Sequence, residues 1–362
     1  MEISQTEYTS DKADILSMTE EEAIVFSTTS LSSAAYRGAQ LWSWMQKGVT
    51  IDEMTNLPLS FRRELKEKAI YKLPKIVRRL ESKIDGTKKY LFELFDGECV
   101  ESVFMKYEHG NTVCVSCQAG CRMGCRFCAS TLKGKKRDLA PSEILGQVIA
   151  ISRDTGERVG GIVMMGIGEP FDNYDAAVKF IRLVSCEKGL GIGLRHISVS
   201  TCGVVPGIIK LASEELPVTL SVSLHASDDE TRSSIMPINN KYHIAELLEA
   251  CRYYFEKTGR RVSFEYTLIA GKNDSEKDAN SLASLLKSGM RSPCHVNLIR
   301  LNEVKETEFS GSGKERADAF AKRLCDLGVT ATVRRRLGSD IDASCGQLRL
   351  QAAKEKETNQ GD

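Results

Sequence analysis

From residue 112 to residue 335 the sequence alternates short β-branched or apolar runs with longer stretches of helical period, and this limits the chain to very few folds. The runs are TVCVS (112–116), GIVMMG (161–166), HISVS (196–200), VTLSVSL (218–224), VSFEYTLI (262–269), HVNLI (295–299) and TATVRR (330–335). Between them lie SEILGQVIAISRD, YDAAVKFIRLVSCE, IAELLEACRYYFEKTG, DANSLASLLKS and KERADAFAKRLCDLG. Strand alternating with helix predicts an α/β domain with a parallel sheet. Periodicity leaves open whether that sheet is a full barrel, a partial barrel or an open wound sheet. In all three, ligand and catalytic groups belong just past the strand ends.

The preceding residues read differently. MTEEEAIVF, AAYRGAQLWSWMQKG and LPLSFRRELKEKAIY have helical character, with no convincing alternating strand before about residue 85. Trp42 and Trp44 are two apart and cannot share a helical face, so one is expected in the core. KKYLFELFDG and CVESVFMKY then predict a hairpin closed by a DG turn. The expected division is a helical unit over 1–85, a connecting hairpin over 86–111, an α/β domain over 112–350 and a polar tail over 351–362. No apolar run approaches the roughly 20 residues of a membrane span, and the polar, acidic first residues do not resemble a secretory leader. A cytoplasmic protein without a membrane association is therefore expected.

In such a reducing compartment twelve cysteines in 362 residues argue for metal ligation or thiol chemistry rather than a disulfide scaffold. Cys121, Cys125 and Cys128, in the string CRMGCRFC, follow directly on the first run of the alternating region. This spacing wraps three thiolates around one centre. Zinc normally takes a fourth protein ligand, whereas a cubane iron–sulfur cluster with one open iron suits three. Zinc and unligated structural thiols remain the alternatives.

Other strand ends carry unusual groups. GIVMMG runs into Ile167, Gly168, Glu169 and Pro170, where glycine permits close backbone approach and a carboxylate can receive an ammonium group. Ser200, Ser223, Leu224 and His225 close later strands, and Asn302 follows another. With five histidines in the chain, a histidine-rich metal site is not expected. These residues together predict a polar cavity facing the cysteines.

The net charge of +1 hides local asymmetry. Residues 62–89 hold eleven basic and four acidic groups, 122–137 hold six basic and none acidic, and Arg334, Arg335 and Arg336 form a third cluster. Three such clusters point to a polyanion, nucleic acid foremost.

The Cys-x3-Cys-x2-Cys string resembles the signature of the radical S-adenosylmethionine enzymes. The longer strings CVSCQAGCRMGCRFCAS, GIGEP, SVSLHA, MPIN, FEYTLIAGKND, CHVNLI and GSDIDASCGQL are similar to the dual-specificity 23S rRNA and tRNA adenine carbon-2 methyltransferases, over roughly residues 36–350. A sister group methylates carbon 8 of the same rRNA adenine. GSD matches that group, while Asp342 and the N-terminal helical portion favour carbon 2. The resemblance implies a partial (β/α) barrel with a small N-terminal helical domain. It also implies one [4Fe-4S] cluster on Cys121, Cys125 and Cys128, and S-adenosylmethionine held by Gly168, Glu169, Ser200, Ser223, Leu224, His225 and Asn302.

In this family S-adenosylmethionine is used twice per cycle, first to methylate a cysteine, here Cys345, and then as the source of a 5'-deoxyadenosyl radical. Carbon 2 of adenine is electron-poor and is not a nucleophile, so direct transfer from a sulfonium is closed to it, whereas a carbon radical can add. Glu101 matches the family's general base, and Cys114 the thiolate that attacks the Cys345 sulfur and frees the RNA as a disulfide forms. The implied partners are 23S rRNA, tRNA, an electron donor and a thiol reductant, with no obligate protein partner. Carbon-8 methylation, another radical enzyme, or a zinc-containing RNA-binding protein are the competing readings. Cys117, Arg300 and Ser344 depart from the family pattern, and Cys117 is a candidate competing thiol beside Cys114.

Overall fold

The computed structural model describes residues 12–108, 110–302, 306–341 and 346–352. Its centre is a ten-stranded sheet: β1 (Lys75–Glu81), β2 (Lys88–Glu93), β3 (Cys99–Tyr107), β4 (Gly110–Cys114), β5 (Val159–Met164), β6 (Ile197–Thr201), β7 (Thr219–Ser223), β8 (Val262–Leu268), β9 (Cys294–Arg300) and β10 (Ala331–Val333). Spatial order follows chain order throughout, so each strand lies beside its sequence neighbour. Strands β1 to β4 form an antiparallel meander, and β4 to β10 run parallel. The sheet has two edges, β1 and β10, and does not close. All seven runs expected to be strands lie in or directly against the parallel part, which settles the barrel question in favour of an open, partial one.

Three helices, α1 (Glu20–Thr29), α2 (Ala35–Met45) and α3 (Leu59–Lys68), precede the sheet. Helix α1 opens on a capping box in which Thr19 Oγ1 accepts from Glu22 N and Glu22 accepts from Thr19 N, satisfying two donors that helix geometry leaves orphaned. Gly38 lets α2 cross closely, because a Cβ there would lie 2.4 Å from Ile24 Cα. Trp42 is buried and donates to Met18 O, while Trp44 is half-buried and donates to Asn56. The stretch before residue 85 does contain one long strand that the sequence reading took as helical, β1. Its inward row holds Ile76, Arg78 and Leu80, and an arginine in that row masks the period-2 signal.

Crossover helices connect the parallel strands: α4 (Pro141–Thr155), α5 (Tyr174–Ser185), α6 (Val205–Ala212), α7 (Asp229–Ile235), α8 (Ile244–Thr258), α9 (Glu276–Met290) and α10 (Lys314–Asp326). Proline sits in the first turn of α4, and Gly156 in the left-handed region ends it, the asymmetry expected of helix ends. The apolar faces of α4, α5, α6, α8 and α9 join the sheet and α1 to α3 in one continuous core. Among the described residues no helix is long and apolar enough to cross a membrane.

Candidate active site

The loop after β4 is held by a buried polar frame. Gln147 on α4 accepts from Ser116 N and Ser102 Oγ and donates to Ser116 O, while Ser116 Oγ donates to Glu101 O and accepts from Ile167 N. The loop after β5 presses against it. A Cβ on Gly166 would lie 2.6 Å from Val115 O, and Gly168, with φ +112°, sits 2.7 Å from Gln118 by the same measure. These glycines serve close approach, as the sequence predicted.

From this frame the chain wraps through Gly120, where a Cβ would collide with Gly134 O, into the cysteine loop. Thr131 Oγ1 donates to Cys125 O and Cys128 O, and Arg126 N donates to Ile235 O. Cys121, Cys125 and Cys128 all line one cavity of about 290 Å3 at the strand ends. Burial, and then the charge of neighbours that include Cys128, pushes the Cys121 thiol up to about 12. Burial and the two other cysteines push Cys125 well above the ordinary thiol range. Cys121 and Cys125, which resist ionisation, need a compensating cation to become thiolates, and Cys128 lines the same cavity as a third sulfur donor. The donor set therefore fits an iron–sulfur cluster.

Gly168, Glu169, Ser200, Ser223 and His225 line the same cavity. The buried Glu169 carboxylate accepts from Phe171 N and Cys202 N, and desolvation raises its pKa against those bonds. His225 has φ +57°, its Nδ1 accepts from Thr267 N at 2.9 Å, and its ring meets Phe127 edge-on. Burial, aided by the Arg232 charge, lowers its pKa to about 3, so the ring is neutral with its proton on Nε2. Leu224 stands apart: its side chain is fully buried in the core, and only its backbone works at the strand end, donating to Glu265 O and accepting from Arg232 Nε.

A second cavity of about 190 Å3 adjoins the first through the shared Met165, Ile299 and Arg334. Cys114 and Asn302 lie in its wall. Asn302 therefore faces this cavity, with its Oδ1 accepting from Arg336 Nε. Cys117 lines neither cavity; it packs in the main core, and burial drives its thiol far up.

Glu101 on β3 is buried, lies 3.1 Å from the Lys89 ammonium, and accepts from Gly346 N at 2.8 Å and Arg349 N at 2.6 Å. It thus caps the short helix over 347–352. Cys345 lies outside the described residues, directly before that helix. On its other side Asp340 accepts from Ser82 Oγ and Lys83 N, and Asp85 accepts from Gly338 N.

Glu265, Cys202 and Thr201 also line the first cavity, and the sequence reading missed them. Glu265 is buried in mid-strand and accepts from Asn297 Nδ2 at 2.8 Å. A carboxylate inside VSFEYTLI was the available signal.

The basic stretches prove unequal. Arg122, Lys135 and Arg137 are tied to Asp172, Asp138, Asp96 and Glu143. Lys66, Lys68, Arg79, Lys88 and Lys89 of the first stretch are in ion pairs as well.

The family model described as "Radical SAM superfamily" matches residues 115–283. A "Probable dual-specificity RNA methyltransferase RlmN" from Lachnospira eligens is 52% identical over 93% of this chain and 95% of its own length. A namesake from Pelotomaculum thermopropionicum is 53% identical, over 90% of this chain and 88% of its own. Among solved structures, a radical SAM methyltransferase from Sphaerobacter thermophilus superposes with a TM-score of 0.87 at 42% identity, covering 92% of this chain and 98% of that one.

Proposed function

The chain belongs to the dual-specificity RNA methyltransferases of the radical SAM superfamily, and from that premise we propose that it methylates carbon 2 of adenine in 23S rRNA and tRNA. It is an S-adenosylmethionine-dependent enzyme with a [4Fe-4S] cluster, as that membership entails. The observation that carries the assignment of residues is the cavity shared by Cys121, Cys125 and Cys128 with Gly168, Glu169, Ser200, Ser223 and His225.

In this reading the three thiolates hold the cluster, and the Glu169 carboxylate receives the methionine ammonium. The remaining polar groups orient the nucleoside end, with His225 Nε2 as a fixed donor. When bound, the cluster and two successive S-adenosylmethionine molecules supply a methyl group and a 5'-deoxyadenosyl radical. Cys345 would carry the carbon to the base, Glu101 would take the ring proton, and Cys114 would attack the Cys345 sulfur, breaking its bond to the transferred carbon, which takes up a proton and leaves as the methyl group of the RNA while the two cysteines form a disulfide. The bonds from Glu101 to Gly346 and Arg349 support this order, because they put the carboxylate beside the segment that bears Cys345. A cellular electron donor and a thiol reductant reset the site, and we place the reaction in the cytoplasm with its RNA substrates. Helices α1 to α3 serve as an accessory RNA-docking unit.

The test is anaerobic reconstitution, reaction with rRNA and tRNA, and location of the methyl group by mass spectrometry after digestion. Methyl at carbon 2 is expected, and methyl at carbon 8 would overturn the assignment. Cys125→Ala is expected to lose its cluster iron altogether; retention of iron, or zinc in place of iron in the parent chain, defeats the ligand set.

A further inference from the structure

The second cavity has chemistry that the reaction has not yet used. Four arginines line it: Arg300 at the end of β9, and Arg334, Arg335 and Arg336 just past β10. None of the four forms an ion pair among the described residues. In a chain with 50 basic and 49 acidic groups, where Lys66, Lys68, Arg79, Lys88, Lys89, Arg122, Lys135 and Arg137 of the other two basic stretches are in ion pairs, the third cluster is the one whose members all lack one among the described residues. Arg336 is aimed by Asn302 Oδ1, and Arg334 lies along Met165 at 3.6 Å from its sulfur. Arg335 and Arg336 are exposed at the mouth. Val103, Met105, Tyr107 and Leu337 give the same cavity an apolar lining.

Arg334 also feels the buried Glu265 carboxylate across the junction, which leaves Arg300, Arg335 and Arg336 as the cavity's guanidinium groups without a carboxylate partner among the described residues. A pocket that joins such groups to apolar side chains suits a nucleotide, the base on the apolar side chains and phosphodiesters on the guanidinium groups. Its wall includes Cys114, and it opens on the first cavity. We infer that this cavity receives the target nucleotide of the RNA, and that Arg335 and Arg336 hold the phosphodiesters on either side of the target adenosine. The inference rests on the chain's being an RNA methyltransferase, but not on which carbon it methylates. Arg334 and Arg300 supply the potential deeper in, next to the junction of the cavities. The contacts position the strand and read no sequence.

The test is equilibrium binding of an RNA stem-loop, with the target adenosine in its loop, to the full-length protein carrying its cluster. Arg335→Gln together with Arg336→Gln is expected to weaken binding about tenfold, and to make the slope of log K against log salt shallower by about 1.4, two single-strand phosphate contacts' worth. Replacing the phosphodiesters flanking the adenosine by neutral methylphosphonates should cost the parent chain about the same tenfold. It should cost the double variant less than a further twofold, because the contact is already gone. Arg300→Gln provides a single-site variant should the double variant melt lower than the parent.

Overturning results are a double variant with parental affinity and salt slope, or one that loses the full tenfold again on neutral linkages. Both leave the methyltransferase reading standing, since the parent still binds RNA. A parent chain with no affinity for the stem-loop would sink both.

Discussion

At the scale of single residues, His225 ties protonation to stability. Its folded pKa of about 3 lies below the ordinary 6.5, so between those values the unfolded chain binds more protons. The stability conferred by the neutral ring is complete above 6.5 and is lost as the pH falls toward 3. From neutral pH to about pH 5 this contributes about 2 kcal/mol of lost stability. His225→Asn, which tolerates the left-handed backbone, is expected to remove that part of the pH dependence of the denaturation midpoint. Lys89 and Glu101 form a pair in which both side chains are at most 2% exposed. Lys89→Met strands a buried carboxylate and is expected to cost about 3 kcal/mol, whereas Lys89→Met with Glu101→Gln recovers part of it in the same urea titration. The cysteine loop and GIGEP could be read from the sequence because local spacing carries their chemistry. Glu265 left a signal, a carboxylate inside an apolar strand run, but Cys202 left none, because the end of β6 meets the cavity only through the fold.

Among the elements, α7 has a role out of proportion to its seven residues. Its Arg232 is fully buried and donates to Cys202 O, Ser223 O, Leu224 O and Asn239 Oδ1, so one side chain binds the ends of β6 and β7 together. Arg232→Met leaves carbonyls unpaired at about 1 to 3 kcal/mol each. A loss of at least about 3 kcal/mol in urea unfolding is expected, with weaker S-adenosylmethionine binding. Arg232→Lys should not restore it, because a lone ammonium cannot span those acceptors. The parallel strands were legible because their apolar runs are bounded by helical stretches, and the β2–β3 hairpin because Gly97 takes φ +80° at the DG turn. Strand β1 was not, since an edge strand needs no apolar face strong enough to show.

Over the whole molecule, the sheet gathers its site from strands spanning more than two hundred residues, while the C-terminal segment is fastened at two places, by the β1–β2 turn and by Glu101. Glu101→Ala is expected to raise amide hydrogen exchange at Gly346 and Arg349 tenfold or more, because their acceptor is lost. Exchange at Gly338, which donates to Asp85, should not change. Equal acceleration at all three would mean that the two fastenings are one. The open sheet carries a further consequence. An uncovered strand edge invites edge-to-edge aggregation, and this one is guarded at both sides. Strand β10 offers three residues, while β1 turns Lys75, Arg79 and Glu81 outward and breaks its register between Ile76 and Arg78. A bulged, charged edge is a poor template for an incoming strand, which lets the sheet stay open without seeding fibrils.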